Sequence, residues 1–98
     1  MYLVRSTKGY RKAYKQVSKQ KGFDADLLGE IIDTLARGEK LDQKYKDHQL
    51  TGEMKDSREC HIKHNLLLVY ERDDDILVLL LLDIGTHELR RVVLPEVD

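Results

Sequence analysis

The spacing of the apolar residues changes halfway along the chain, from a helical period to a strand period. In the first half they recur at intervals of three and four in two stripes, Tyr10, Ala13, Tyr14, Val17 and then Leu27, Leu28, Ile31, Ile32, Leu35. This pattern is typical of helices that each bury one face. In the second half the apolar residues alternate or run together within short segments, as in strands. The order of the two halves predicts an α+β fold.

Local signals place the ends of the first elements. The apolar run 2–4 predicts a short first strand, and Ser6 or Thr7 can cap the helix that follows, since a hydroxyl there accepts from free amides of the first turn. Gly22 is expected to end that helix, and Asp24 can cap the next one. Two helices joined in this way make a helical hairpin.

The second half predicts an antiparallel β-meander. Its strands are expected at 54–62, 66–72 and 76–84, with a tight turn at 63–65 and a hairpin loop at 73–75. The unbroken Leu and Val content of the last segment predicts a central strand buried on both faces. The polar stretch 39–52 is predicted to be an ordered loop, and the 90–98 tail to be an edge strand or disordered.

Charge is distributed unevenly along the chain. The 98 residues fit one domain, 1–98, and 17 basic against 18 acidic groups leave a net charge of −1. Residues 1–23 nevertheless carry seven basic groups and no acidic one. Four of them are predicted to share one helical face: Arg11, Lys12, Lys15 and Lys19. Such a face is either an electrostatic footprint for an anionic or acidic partner or a simple solvated surface.

Cysteine content and the lack of a recognisable targeting segment predict a cytoplasmic location. Cys60 is the sole cysteine, so the chain cannot form an internal disulfide. The start lacks the apolar segment of a signal peptide, and the longest apolar run, 76–82, is too short to span a bilayer. We therefore expect a soluble cytoplasmic protein with no membrane association.

Four histidines are candidates for metal binding or acid–base chemistry: His48, His61, His64 and His87. Taken singly, each is most simply a surface or capping residue. Zinc is an alternative, but Cys60 and His61 are adjacent on a predicted strand and face opposite ways, so we expect no metal site. Acid–base chemistry is the stronger alternative. Cleavage of RNA through its own 2′-hydroxyl needs a base, an acid and cations, and histidines beside lysines supply all three without a cofactor.

Four segments carry the most distinctive side chains: YKDHQLTG at 45–52, RECHIK at 58–63, LLLVY at 66–70 and GTH at 85–87. In this order and spacing, which hold from about Tyr2 to Leu89, they resemble the YafQ-type toxins of the RelE superfamily. The resemblance implies a compact RelE-like α+β domain and a toxin of a bacterial type II toxin–antitoxin system. Such toxins enter the ribosomal A site, cleave mRNA there and inhibit translation. A cognate antitoxin neutralises them, and the complex binds operator DNA through the antitoxin.

The same resemblance assigns site residues. The catalytic positions fall on His48, His61, His87, Glu59 and Asn65. Lysines and arginines near the histidines are expected to hold mRNA: Lys46, Lys55, Arg58, Lys63, Arg90 and Arg91. The basic helical face, Arg11, Lys12, Lys15 and Lys19, is expected to bind phosphates of 16S rRNA.

Two positions depart from the family pattern. Relatives usually have an aspartate in place of Asn65 and tend to have an arginine in place of Asp83. Both changes alter charge next to the expected phosphate site. They leave open a second hypothesis, a catalytically weakened member that acts as an antitoxin-binding or regulatory protein. A third, an unrelated small α+β domain with surface histidines, also remains.

Overall fold

The computed structural model describes residues 1–86, so His87, Arg90, Arg91 and the tail predicted at 90–98 lie outside the described residues. Within these described residues there are seven main elements: β1 Leu3–Ser6, α1 Lys8–Val17, α2 Ala25–Ala36, β2 His48–Gln49, β3 Arg58–Lys63, β4 Leu66–Asp73 and β5 Val78–Gly85. Short 3-10 turns at Gln43–Tyr45 and Gly52–Met54 flank β2. The predicted α+β order of strand, helical hairpin and meander is confirmed.

The five strands of residues 1–86 form one mixed sheet in the order β1-β5-β4-β3-β2. The pairs β2–β3, β3–β4 and β4–β5 are antiparallel, whereas β1 pairs with β5 in parallel. The middle strand is therefore β4, in which the four residues from Leu67 to Tyr70 are all buried. Strand β5, predicted to be central, lies one place from the edge of the sheet that residues 1–86 form.

That last strand also begins later than predicted. Ile76 and Leu77 are exposed and belong to the turn between β4 and β5. The Asp73 side chain accepts hydrogen bonds from the amides of Asp75 and Ile76, and Leu77 takes a φ of 55°. A side chain that caps local amides favours a turn over continued pairing, which apolar patterning alone does not reveal.

Thr7 joins α1 to the sheet. Its Oγ1 accepts from the amide of Tyr10 at 3.0 Å and donates to the carbonyl of Leu82 on β5 at 3.1 Å. The helix ends at Val17 rather than Gly22, and residues 18–22 form turns that close with Gly22 at a φ of 85°. Lys19 therefore follows the helix instead of lying on its face.

Both helices pack on one face of the sheet. Their predicted stripes contact the alternate strand residues that point the same way, and the cluster includes Val17, Leu28, Ile31, Leu35, Cys60, Leu68, Tyr70, Leu79 and Ile84. Phe23, just before α2, meets Tyr14 edge-on with ring centroids 5.7 Å apart. Within residues 1–86, no helix is long and apolar enough to cross a membrane.

The segment before β3 differs from its predicted extended form. Residues 52–54 make a 3-10 turn, and pairing begins only at Arg58. The amide of the Gln49 side chain donates to the carbonyls of Lys55 and Ser57, which holds the connection as a compact loop. The polar stretch 39–52 is ordered as predicted, and it also contributes the short edge strand β2.

Candidate active site

Strand register brings three of the predicted catalytic residues together. His48 on β2 lies opposite Glu59 on β3, Glu59 opposite Val69 on β4, and Val69 opposite Asp83 on β5. Residues in register share a face of a sheet, and His61 shares that face because it follows Glu59 by two positions. This is the face away from the helices, since the core contains Cys60 and Leu68 instead.

His48, Glu59 and His61 are in direct proximity. His48 Nε2 lies 3.2 Å from Glu59 Oε1, and the two imidazole rings have centroids 6.1 Å apart. The His48 side chain is 47% exposed, whereas that of Glu59 is only 11% exposed. The exposed imidazole of His48 therefore lies against the mostly buried carboxylate of Glu59.

A hydrogen bond to the backbone orients the His48 ring. Nδ1 lies 2.7 Å from the carbonyl oxygen of Lys46. Because a carbonyl only accepts, Nδ1 carries a hydrogen, and in a neutral ring Nε2 would then be an acceptor. Nε2, which lies 3.2 Å from the Glu59 carboxylate, is then the ring nitrogen that can take up a proton.

A second set of contacts fixes the backbone that carries His48. Asp47 Oδ1 accepts from the hydroxyl of Tyr70 at 2.7 Å and from Arg58 Nε at 3.3 Å. Arg58 also donates to the Gln49 side chain at 3.1 Å. Burial and the bond to Asp47 raise the pKa of Tyr70. Lys46, with a left-handed φ of 50°, ends the 3-10 turn just before these residues, and Asp47 and His48 point to opposite sides of the sheet because they are adjacent in an extended segment.

The same three side chains form a set of possible metal ligands. One ligand atom from each of His48, Glu59 and His61 lies within 4.8 Å of the others. Two imidazoles and a carboxylate suit Zn²⁺ or Cu²⁺, and the bond from Nδ1 of His48 leaves Nε2 to coordinate. Cys60 is not part of this set, since it is buried on the core face and burial raises the pKa of its thiol to about 12.

The other predicted site residues are more scattered. Lys46 and Lys63 are exposed and line a cavity with His61. Asn65 lies exposed in the turn after β3, and Lys55 in the turn before it. Arg58 is engaged with Asp47. On α1, Arg11, Lys12 and Lys15 are all exposed.

Sequence patterning missed the Asp47–Tyr70 contact. Strand β2 has only two residues and therefore no hydrophobic period to detect, and the sequence pattern around Tyr70 predicts only an ordinary core residue. Only the YKDH segment of the resemblance marked the position of Asp47, without indicating what it touches.

Comparison with known proteins identifies the family. A family profile for "Bacterial toxin of type II toxin-antitoxin system, YafQ" matches residues 2–90. The chain belongs to the YafQ toxin family. A toxin from Helicobacter pylori, solved in a metal-bound form, is 40% identical with a TM-score of 0.83, over 91% of this chain and 98% of that one. YafQ in the E. coli DinJ-YafQ toxin-antitoxin complex is 27% identical with a TM-score of 0.78, over 90% of this chain and 94% of that one.

A curated relative shares a shorter stretch. The Haemophilus influenzae protein described as a putative toxin YafQ is 48% identical over 31 residues, which is 32% of this chain and 30% of that protein. The matched stretch thus spans less than a third of that relative's length.

Proposed function

We propose that this YafQ-family protein is a ribosome-dependent endoribonuclease that cleaves mRNA in the ribosomal A site and so inhibits translation in the cytoplasm. The observation that carries the proposal is the His48–Glu59 pair, 3.2 Å apart, with His61 beside it on the face of the sheet away from the helices. These groups transfer protons, which is what cleavage through a 2′-hydroxyl requires.

The chemistry needs two proton transfers. A base takes the proton of the 2′-hydroxyl as its oxygen attacks the adjacent phosphorus, and an acid protonates the departing 5′-oxygen. The products are a 2′,3′-cyclic phosphate and a 5′-hydroxyl. The His48–Glu59 pair and His61 can divide these two roles between them, since both imidazoles face the same space. His87 remains a further candidate from the family resemblance.

Cations would hold the substrate. Lys46 and Lys63 are exposed and line a cavity with His61, and in this proposal they neutralise phosphate charge. In this proposal Arg58 supports Asp47 and thereby His48, while Lys55, Arg90 and Arg91 remain candidates for contacts along the mRNA. The exposed basic face Arg11, Lys12 and Lys15, with Lys19 just beyond it, binds 16S rRNA.

An antitoxin would neutralise the protein. YafQ of E. coli is found in a complex with DinJ, and we propose a cognate antitoxin for this chain as well. Operator DNA would be bound through that antitoxin.

The same atoms that move protons also suit a metal ion. A toxin from H. pylori has been solved in a copper-bound form, and we propose that Cu²⁺ binds here to His48, Glu59 and His61. An ion there occupies the lone pairs needed for catalysis. Cleavage should therefore persist in EDTA and fall on titration with Cu²⁺. Loss of cleavage in EDTA, restored by the metal, would contradict the acid–base mechanism.

Asp83 supports a second candidate, a weakened toxin that retains antitoxin binding. Its carboxylate is on the same face as Glu59, and burial raises its pKa. A negative charge on this face opposes RNA phosphates, and Asn65 lacks the charge that an aspartate would place near the histidines.

One experiment separates the two candidates. The wild type and the His48→Ala, His61→Ala and Asp83→Arg variants are induced in cells that lack the antitoxin, and mRNA 5′-hydroxyl ends are mapped. New ends with the wild type that disappear in both histidine variants support the nuclease. Ends seen only with Asp83→Arg support the weakened toxin. Equal growth arrest in all variants without new ends would exclude the nuclease.

A further inference from the structure

A cavity lies beside the histidines, between the 3-10 turn 43–45, β3 and the start of α2. Its volume is about 460 Å³, within the range of roughly 300–1,000 Å³ that small-molecule sites occupy. This is room enough for one nucleotide. The cavity is open to solvent and extends the site away from Glu59.

The lining of this cavity combines three kinds of surface. Leu27 and the buried Ile62 supply apolar contact, and Tyr45 supplies a half-exposed aromatic ring. The ammonium of Lys44 lies 5.3 Å from the centre of that ring, so an exposed group can reach its face. An apolar floor with an accessible ring is the surface on which a nucleobase stacks.

Cations surround the ring, and no carboxylate lines the cavity among residues 1–86. Lys44, Lys46 and Lys63 are all exposed. Lys63 is partly engaged, since it donates to the Gly22 carbonyl at 3.2 Å and lies 3.9 Å from a carboxylate oxygen of Asp24. The ammonium of Lys44 lies over the Tyr45 ring, but neither Lys44 nor Lys46 is ion-paired with a carboxylate within residues 1–86, so both can approach a phosphate. The cavity therefore offers a surface for a nucleobase at Tyr45 and cations for a phosphate beside it.

The cavity is continuous with the candidate active site because they share His61. That side chain lines the cavity and also has its ring 6.1 Å from that of His48. We propose that the cavity binds one nucleotide of the RNA substrate adjacent to the scissile phosphate, with its base against Tyr45 and its phosphate at Lys44 and Lys46. This inference rests on the proposed nuclease function and adds a subsite for base selection.

The test compares two replacements of Tyr45 that both keep a large apolar side chain. Tyr45→Phe retains the aromatic face, whereas Tyr45→Leu retains packing without it. Binding of 2′-O-methyl RNA trinucleotides, one for each base, is measured by NMR titration, and cleavage is measured on ribosome-bound mRNA. Lys40→Ala, which removes an exposed lysine outside the cavity, is the control.

The proposal expects the trinucleotides to shift the Tyr45 ring signals and to bind Tyr45→Leu about tenfold more weakly, since stacking on an aromatic ring is of that strength. Tyr45→Phe and Lys40→Ala should bind as the wild type does. Cleavage by Tyr45→Leu should show a raised KM and a flattened base preference. Thermal melting verifies that each variant is folded.

Three results would overturn the nucleotide site. If the wild type cleaves mRNA and Tyr45→Leu cleaves with the same KM and base preference, the cavity is no subsite although the nuclease stands. If Tyr45→Leu cleaves normally but escapes neutralisation by the co-expressed antitoxin, the cavity belongs to the protein partner. If the wild type cleaves no mRNA, both the subsite and the proposed function fail.

Discussion

Asp47 and His48 are adjacent in sequence but make contacts on opposite sides of the sheet. Asp47 bonds to the buried Tyr70 on the core side, while His48 lies against Glu59 on the opposite side of the sheet. Strand alternation correctly predicted that Glu59 and His61 share a face. It could not predict that His48 joins them, because β2 is two residues long and its pairing depends on side-chain bonds made by Asp47 and Gln49.

These contacts make Tyr70 a positioning residue for His48. Tyr70→Phe keeps the ring in the core but removes the hydrogen bond to Asp47, which should cost about 1.5–3 kcal/mol of stability because the acceptor is charged. His48 then loses its fixed orientation, and kcat should fall about ten- to a hundredfold with KM nearly unchanged. Chemical denaturation and cleavage kinetics measure the two effects.

The matched control is Tyr14→Phe, which removes a hydroxyl from α1 far from β2. It should leave kcat at the wild-type value. If Tyr70→Phe loses stability but cleaves normally below its melting temperature, Tyr70 supports the fold alone.

At the scale of elements, the helices were more predictable than the strand ends. Thr7 and Asp24 both cap their helices, and the apolar stripes from Tyr10 to Leu35 pack as expected. The errors occurred where side-chain hydrogen bonds override apolar patterning, as at Asp73. The parallel pairing of β1 with β5 was also missed, since nothing in a four-residue strand encodes its distant partner.

Asp83 gives β5 a pH-dependent contribution to stability. Burial raises its pKa above the ordinary 3.8, so its contribution is favourable below that value and is lost as the pH rises through the folded-state pKa. Asp83→Asn keeps the Oδ1 acceptor for the Ile84 amide and should raise Tm at pH 7. The gain should shrink towards zero near pH 3. An equal gain at both pH values in thermal melts would contradict this account.

At the scale of the whole molecule, net charge is a poor guide to function. The value of −1 averages a basic N-terminal region with acidic segments such as the turn that follows β4. Charge patterning along the sequence did predict the exposed basic face on α1. It could not predict the cavity beside His61, because the cavity joins residues from α2, a 3-10 turn and β3.

Reversing a charge on the basic face of α1 tests whether this face binds the ribosome. Lys12→Glu should weaken binding to 70S ribosomes severalfold and reduce the salt dependence of binding, since fewer counterions are released. Both Lys12 and the control residue Lys40 are exposed, so folding should be unaffected. Lys40→Glu makes the same charge change elsewhere and should bind normally. Equal ribosome affinity for wild type and Lys12→Glu in sedimentation assays would exclude the face from ribosome binding.

The most direct test of the central claim is the chemistry of the ends produced by the purified protein on mRNA in programmed ribosomes. We predict a 2′,3′-cyclic phosphate and a 5′-hydroxyl within the A-site codon, formed in EDTA and abolished by His48→Ala, by His61→Ala or by a single 2′-deoxy nucleotide at the cut. Cleavage that persists in the two histidine variants, or that proceeds at the 2′-deoxy position, would contradict proton transfer by this site.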